Sequence, residues 1–204
     1  MPNWCQNVIY VNHENFQTME STLKALKEGR LCDHITPMPD VLKDIHSGFT
    51  TINGEEHEVW RTNAPRDADW KTQLDADSIP IPIKEQREII QEHGHIKPMD
   101  WTRDNWGMKW DISQISYHGF GEISIGSILN TCKDLGLHCF KFDTPWCPPI
   151  PIFKKMHKLG YVLFAEYIEY GCGYCGQFME GEDHYVNEIP EDWSAHEYLR
   201  DEYA

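Results

Sequence analysis

The stretch from residue 137 to residue 186 constrains this chain most, because its punctuation fits one order of elements. Leu137 to Asp143 alternates side-chain character as a strand does. Pro148 and Pro149 open a helix in which Ile150, Phe153 and Met156 can face a core, and Gly160 ends it. Tyr161 to Tyr170, with Val162, Leu163, Phe164 and Ile168, is the strongest strand in the chain. Tyr174 to Met179 and His184 to Val186 then read as a hairpin around Glu180-Gly181-Glu182. A strand, a helix, a strand and a hairpin in succession call for a sheet that is at least partly antiparallel.

The N-terminus repeats the strand-helix theme. Cys5 to Val11 is β-rich, and Asn12 is placed to cap a helix whose Phe16, Met19, Leu23 and Leu26 recur at helical spacing. Gly29 is the expected stop, and residues 33 to 38 read as a second extended piece ending at Pro37 and Pro39. Ile123 to Leu135 reads as another helix, stopped by Gly136. Residues 40 to 105 are polar and weakly periodic, with turn signals at Asn53-Gly54, Asn63-Ala-Pro65 and Pro80-Ile-Pro82 and one helix from about Lys84 to His93. Such a length is too great for a bare loop, so it reads as an insertion with structure of its own, pinned by Trp60, Trp70 and Trp101. The expected fold is α+β, a ferredoxin-like antiparallel sheet with helices on one face. Its core takes residues 1–39 and 106–190, the inserted segment 40–105, and an acidic tail 191–204.

Charge sharpens the functional reading. The chain has 18 Lys and Arg against 33 Asp and Glu, a net of −15. That argues against direct binding to nucleic acid or to an anionic membrane, since phosphate contacts need clustered cations. Residues 159 to 204 alone hold 11 acids and one base, Arg200. These acids are interleaved with Tyr185, Trp193, Tyr198 and Tyr203, whereas a purely solvating tail carries few aromatics. The segment therefore reads as an acidic docking surface formed by Glu166, Glu169, Glu180, Glu182, Asp183, Glu188, Glu191, Asp192, Trp193, Glu197 and Tyr198.

Three further features carry alternative readings. Trp106 and Trp110, with Asn105 and Lys109, form a Trp-rich centre that could stack and hold a small ligand such as a nucleotide. Cys172 and Cys175 are spaced as half of a four-ligand metal site, with Cys147 and His184 as conceivable completions. Against this, seven cysteines without a secretory signal read as reduced thiols, and the glycines around the pair read as a turn between strands. His34 and His118 are the base candidates, yet no phosphate loop, nucleophile elbow or zinc-protease motif accompanies them. No cofactor is called for, and a non-enzymatic role leads.

Four segments taken together support a resemblance. The chain opens Met1-Pro-Asn-Trp-Cys-Gln-Asn7; its centre holds Asn105-Trp-Gly-Met-Lys-Trp-Asp111; Phe142-Asp-Thr-Pro-Trp-Cys-Pro-Pro149 and Gly173-Tyr-Cys-Gly176 follow. In this order they resemble the YubB-type ferredoxin-like domain family, phage- and plasmid-borne proteins of unassigned function. The resemblance covers both ends and the centre. It implies a ferredoxin-like fold and a mobile-element origin, and it transfers no catalytic residue. The expected role is inhibition of a host protein with a basic surface, such as a defence nuclease or a CRISPR-type complex, in the host cytoplasm.

Overall fold

The computed structural model describes residues 3–64, 77–120 and 136–190. The chain divides into two compact units, one of residues 1–37 and 105–204, the other of residues 38–104.

The first unit is built on a six-stranded antiparallel sheet. Its strands are β1 (Trp4–Asn12), β5 (Ser113–Phe120), β6 (His138–Pro145), β7 (Val162–Glu169), β8 (Tyr174–Met179) and β9 (Glu182–Val186), in the order β5-β6-β1-β7-β8-β9. The first four positions are the split βαβ arrangement of a ferredoxin-like fold, with β1 between β6 and β7. Two hairpin strands extend it past β7. Among the described residues its helices are α1 (Phe16–Lys27), α2 (Leu31–Ile35) and α6 (Ile150–Lys158).

Register assigns each sheet face. Tyr117, Phe140, Ile9, Ala165 and Phe178 form one cross-strand row. Phe153 of α6 packs on Phe178 with ring centroids 5.6 Å apart, and Lys27 of α1 lies 5.2 Å from the ring of Tyr117. Both helices therefore cover this face. The neighbouring row, on the opposite face, reads Ser116, Lys141, Val8, Glu166, Gln177 and His184. Flanking it, Tyr10, Cys139, Phe164, Ile168 and Cys175 pack into an apolar cluster with Val8. Burial on both faces explains why β1 and β7 read as continuous runs and not as alternating ones.

Local signals set most element ends. The Pro148-Pro149 start and the Gly160 stop of α6 fall where expected, with Gly160 at φ +92°. The β8–β9 turn places Glu180 and Gly181 both at positive φ, the two-residue turn whose twist suits a hairpin. Two expectations need correction. The cap of α1 is Asn15, whose Oδ1 accepts Thr18 N–H at 2.9 Å; Asn12 ends β1, and Phe16 lies 77% exposed ahead of the buried stripe Met19, Thr22, Ala25 and Leu26. Residues 31 to 35 are helical, not extended, because Asp111 caps them from a distant part of the chain. The helix expected over Ile123 to Leu135 lies outside the described residues.

The second unit has a three-stranded antiparallel sheet, β2 (His46–Ile52), β3 (Glu55–Thr62) and β4 (Ser78–Pro80), in that order. Asn53-Gly54 turns β2 into β3 with both residues at positive φ, as its dipeptide signal predicts. Helices α3 (Asp40–Lys43), α4 (Ile83–His93) and α5 (Pro98–Trp106) follow among the described residues. Gly94, at φ +80°, closes α4. Arg61 pairs with Glu85 at 2.7 Å and Lys97 with Glu58 at 2.9 Å. Trp70 lies outside the described residues.

Candidate functional site

The C-terminal acids do not form one surface. Glu166 and Glu169, expected to face a partner, are 2% and 1% exposed. Strand β7 is buried from Leu163 to Glu169, with helices over one sheet face and the apolar cluster on the other. Glu166 Oε1 accepts the Gln177 amide at 2.8 Å. Glu169 holds the turn into β8, its two oxygens accepting the N–H groups of Gly171 and Cys172. Asp183 is half-buried and accepts the Tyr167 hydroxyl at 2.6 Å. Burial, and then this carboxylate, push the Tyr167 phenol well above its ordinary range, so it stays a donor. Glu180, Glu182 and Glu188 are exposed at the β8–β9 hairpin and just beyond it, beside Tyr185, which is also exposed. Glu191, Asp192, Trp193, Glu197 and Tyr198 lie outside the described residues.

The Trp-rich centre is also split. Trp106 is buried, and its indole N–H donates to the Thr36 carbonyl at 2.9 Å, so it is a packing group and offers no stacking face. Asp111 accepts from the N–H groups of Cys32 and Asp33 at 2.9 Å and of Ile112 at 2.8 Å. Burial raises its carboxyl above the ordinary value despite these three donors. Gly107 sits at φ +80°, and a Cβ there would lie 2.7 Å from Pro151 Cδ. Cys147 Sγ donates to the Gly107 carbonyl.

Trp110 instead turns toward Trp146 and Trp4. Its ring centroid lies 5.9 Å from that of Trp146, at 52° between planes, and 6.4 Å from that of Trp4, at 62°. Lys109 Nζ lies 5.0 Å from the Trp110 ring and 5.9 Å from that of Trp146. Trp4 and Trp146 are 40% and 41% exposed. Trp146 holds a left-handed φ of +65°, which costs an L residue roughly 1 kcal/mol. Two main-chain bonds keep it there: its N–H donates to the Asn3 carbonyl at 2.9 Å, and its carbonyl accepts the Tyr174 hydroxyl. The Asn3 amide in turn donates to Cys172 Sγ. All four sequence segments that carry the resemblance thus meet at one corner of the sheet, and no single segment could have announced it.

Cys172 and Cys175 do not work as a pair. Cys172 is exposed in the β7–β8 turn, whereas Cys175 packs in the apolar cluster on the sheet face away from the helices. Contact with Glu169 pushes the Cys172 thiol up, and burial pushes up Cys175. Cys147 is engaged at Gly107. Among the described residues no group of three or more His, Cys, Asp or Glu side chains is arranged to hold a metal ion.

One arrangement escaped sequence reasoning. The row Ser116, Lys141, Glu166, Gln177 and His184 lays polar side chains across five strands, with Lys141 only 6% exposed. Alternation in β6 could have put Lys141 on a face, but only the register shows that Glu166 shares it. His118 bonds to Ser116 Oγ at 2.8 Å beside this row. Elsewhere, a groove of about 1050 Å³ runs along α1 past Phe16, Leu23 and His138. Its rim mixes Lys24 and Lys27 with Glu20 and Glu28, which gives no single charge preference.

His34 belongs to a structural network. Thr22 Oγ donates to the Thr18 carbonyl, so the Tyr161 hydroxyl and His34 Nε2–H both donate to Thr22. Burial first, and Arg30 second, lower the His34 pKa below its usual value of about 6.5. The folded state thus prefers the neutral ring. Stability from this group is full above pH about 6.5 and is lost as pH falls toward the folded pKa. Denaturant unfolding of His34→Gln between pH 7 and pH 5 should show a shallower loss of stability than the parent. Equal slopes would remove His34 as the titrating group.

Residues 129–204 match a family model described as a ferredoxin-like domain in Api92-like protein. The matched stretch is ferredoxin-like. It takes in β6, α6, β7 and the hairpin strands β8 and β9, which are the second half of the split βαβ arrangement and its extension. The strand order places β1 and β5 in the same fold. No curated protein and no solved structure matches the chain. Among the described residues, no helix is long and apolar enough to cross a membrane.

Proposed function

We propose that this protein acts without catalysis, by binding a basic surface of another protein through the acidic end of its sheet. The observation that carries the reading is the β8–β9 hairpin. Glu180, Glu182 and Glu188 are exposed on and after it with Tyr185 beside them, and the acid-rich residues 191–204 follow directly. Acidic side chains flanking an exposed aromatic suit a partner rich in Arg and Lys. Strand β9 is also one of the two edge strands of the sheet among the described residues, and its charges discourage pairing with another copy.

A basic groove that normally holds nucleic acid is the most economical target. Occluding it requires charge complementarity and no reactive group. The resemblance to phage- and plasmid-borne proteins favours a host target of that kind, a defence nuclease or a CRISPR-type complex, met in the host cytoplasm. The test is capture of partners from host extract, followed by titration of the captured protein. Glu180→Gln/Glu182→Gln/Glu188→Gln should weaken binding roughly tenfold at low salt, at a few tenths of a kcal/mol or more per exposed pair. The difference should shrink as salt rises. Unchanged affinity in the triple variant would refute the acidic-surface reading.

A further inference from the structure

We propose that Trp4, Trp110 and Trp146 form a cage for a cationic side chain of the partner, and that Lys109 is its internal occupant when no partner is bound. The inference deepens the binding role proposed above and rests on it for the source of the cation. The geometry of the rings discriminates between ligand classes. A nucleobase needs a flat platform, but the indole planes meet at 52° and 62°, as the walls of a box do. An ammonium or guanidinium needs ring faces within about 6 Å of its charge, from more than one side. Lys109 Nζ already meets that condition over two of the rings, at 5.0 and 5.9 Å.

The cage is also built and open. Trp4 and Trp146 keep about two fifths of their surface in solvent. Trp146 keeps its left-handed backbone through bonds to Asn3 and Tyr174. The Tyr174 hydroxyl that holds the Trp146 carbonyl also ties this corner to the hairpin, since the Tyr174 ring lies 5.4 Å from that of Tyr185 on the edge strand. The hairpin that carries the exposed acids is thus connected to the cage through Tyr174. A net charge of −15 draws cations toward both. An arginine of the partner is the fitting occupant, since its planar guanidinium stacks on indole and is more weakly hydrated than an ammonium.

Hexa-arginine, hexa-lysine and AMP, titrated into the full chain and followed by indole fluorescence, test the proposal. Hexa-arginine should bind more tightly than hexa-lysine, and AMP should leave the fluorescence unchanged. Lys109→Ala should bind hexa-arginine several-fold more tightly than Lys24→Ala, a variant that loses the same charge on the exposed side of α1. Trp146→Ala should lose at least tenfold. Trp4→Leu, at an exposed strand start, should also lose affinity and guards against misfolding of the first variant. Lys109→Ala no tighter than Lys24→Ala, or AMP quenching that Lys109→Ala weakens, overturns the cage. The triple Glu variant separates the two readings. Loss there with unchanged binding in both Trp variants discards the cage alone, whereas the reverse discards the acidic surface alone.

Discussion

Asp111→Ala is expected to cost the fold about 3 kcal/mol, because it strips the acceptor from three backbone donors at once. The N–H groups of Cys32 and Asp33 begin helix α2, which has no side-chain cap from its own neighbourhood. Cys32 itself is fully buried, so water cannot replace the lost carboxylate there. In a chain of 204 residues this should lower the melting temperature by roughly 6 to 12 °C. Asp111→Asn should fall between the parent and the alanine variant, since its one amide oxygen can still accept from Cys32 and Ile112 while its NH2 group faces the Asp33 N–H. Denaturant unfolding of the three proteins measures the difference. An alanine variant within about 0.5 kcal/mol of the parent would show that α2 stands without its distant cap.

Gly176→Val should be at least as damaging. A Cβ at this position would collide with the hydroxyl end of Tyr167 and lie 2.9 Å from the His184 carbonyl. The Tyr167 ring is fully buried between β1 and β8, so it has no vacant space to enter. Displacing it breaks its bond to Asp183 and loosens β9 from β8. Overpacking together with the stranded carboxylate points to roughly 3 kcal/mol or more. The two residues should be coupled. In Gly176→Ala/Tyr167→Ala the missing ring makes room for the new methyl, so the double cost should fall short of the sum of the single costs. Additive values would place the strain elsewhere.

These two positions also show what the motif residues do. Asp111 and Gly176 sit in segments that stand out in the sequence, and both serve architecture. One ties α2 to the start of β5, and the other lets Tyr167 reach across to the hairpin. Trp106 behaves likewise, spending its indole N–H on the Thr36 carbonyl. A distinctive motif therefore marks a place where distant segments must interlock, and its side chains need not face a ligand. Trp110 and Trp146 are the exceptions, since their faces remain partly open around Lys109.

Much of the fold was legible because it depends on local chemistry. Pro148-Pro149 suits a helix start and excludes a helix interior, Asn53-Gly54 and Glu180-Gly181 supply the positive φ that hairpins need, and Gly94 and Gly160 end helices for the same reason. Helix α2 was not legible, because its stabilising acceptor lies 78 residues away in sequence. The candidate surface was half legible. Charge counting locates an acidic end, but it cannot tell Glu180 and Glu182 on a hairpin from Glu166 and Glu169 on an inner strand.

The sequence by itself determined an α+β, ferredoxin-like chain whose acids gather at its C-terminal end, since turns, caps and formal charge are properties of neighbouring residues. Only the tertiary structure decided which acids are available and which indoles meet. Packing on both faces of the sheet buries β7 and withdraws two carboxylates from solvent. The antiparallel register of β1 with β6 brings Trp4 level with Pro145, next to Trp146, while Trp110 arrives from the centre of the chain. Such encounters are set by hydrogen-bond register over more than a hundred residues of separation, which no local pattern encodes.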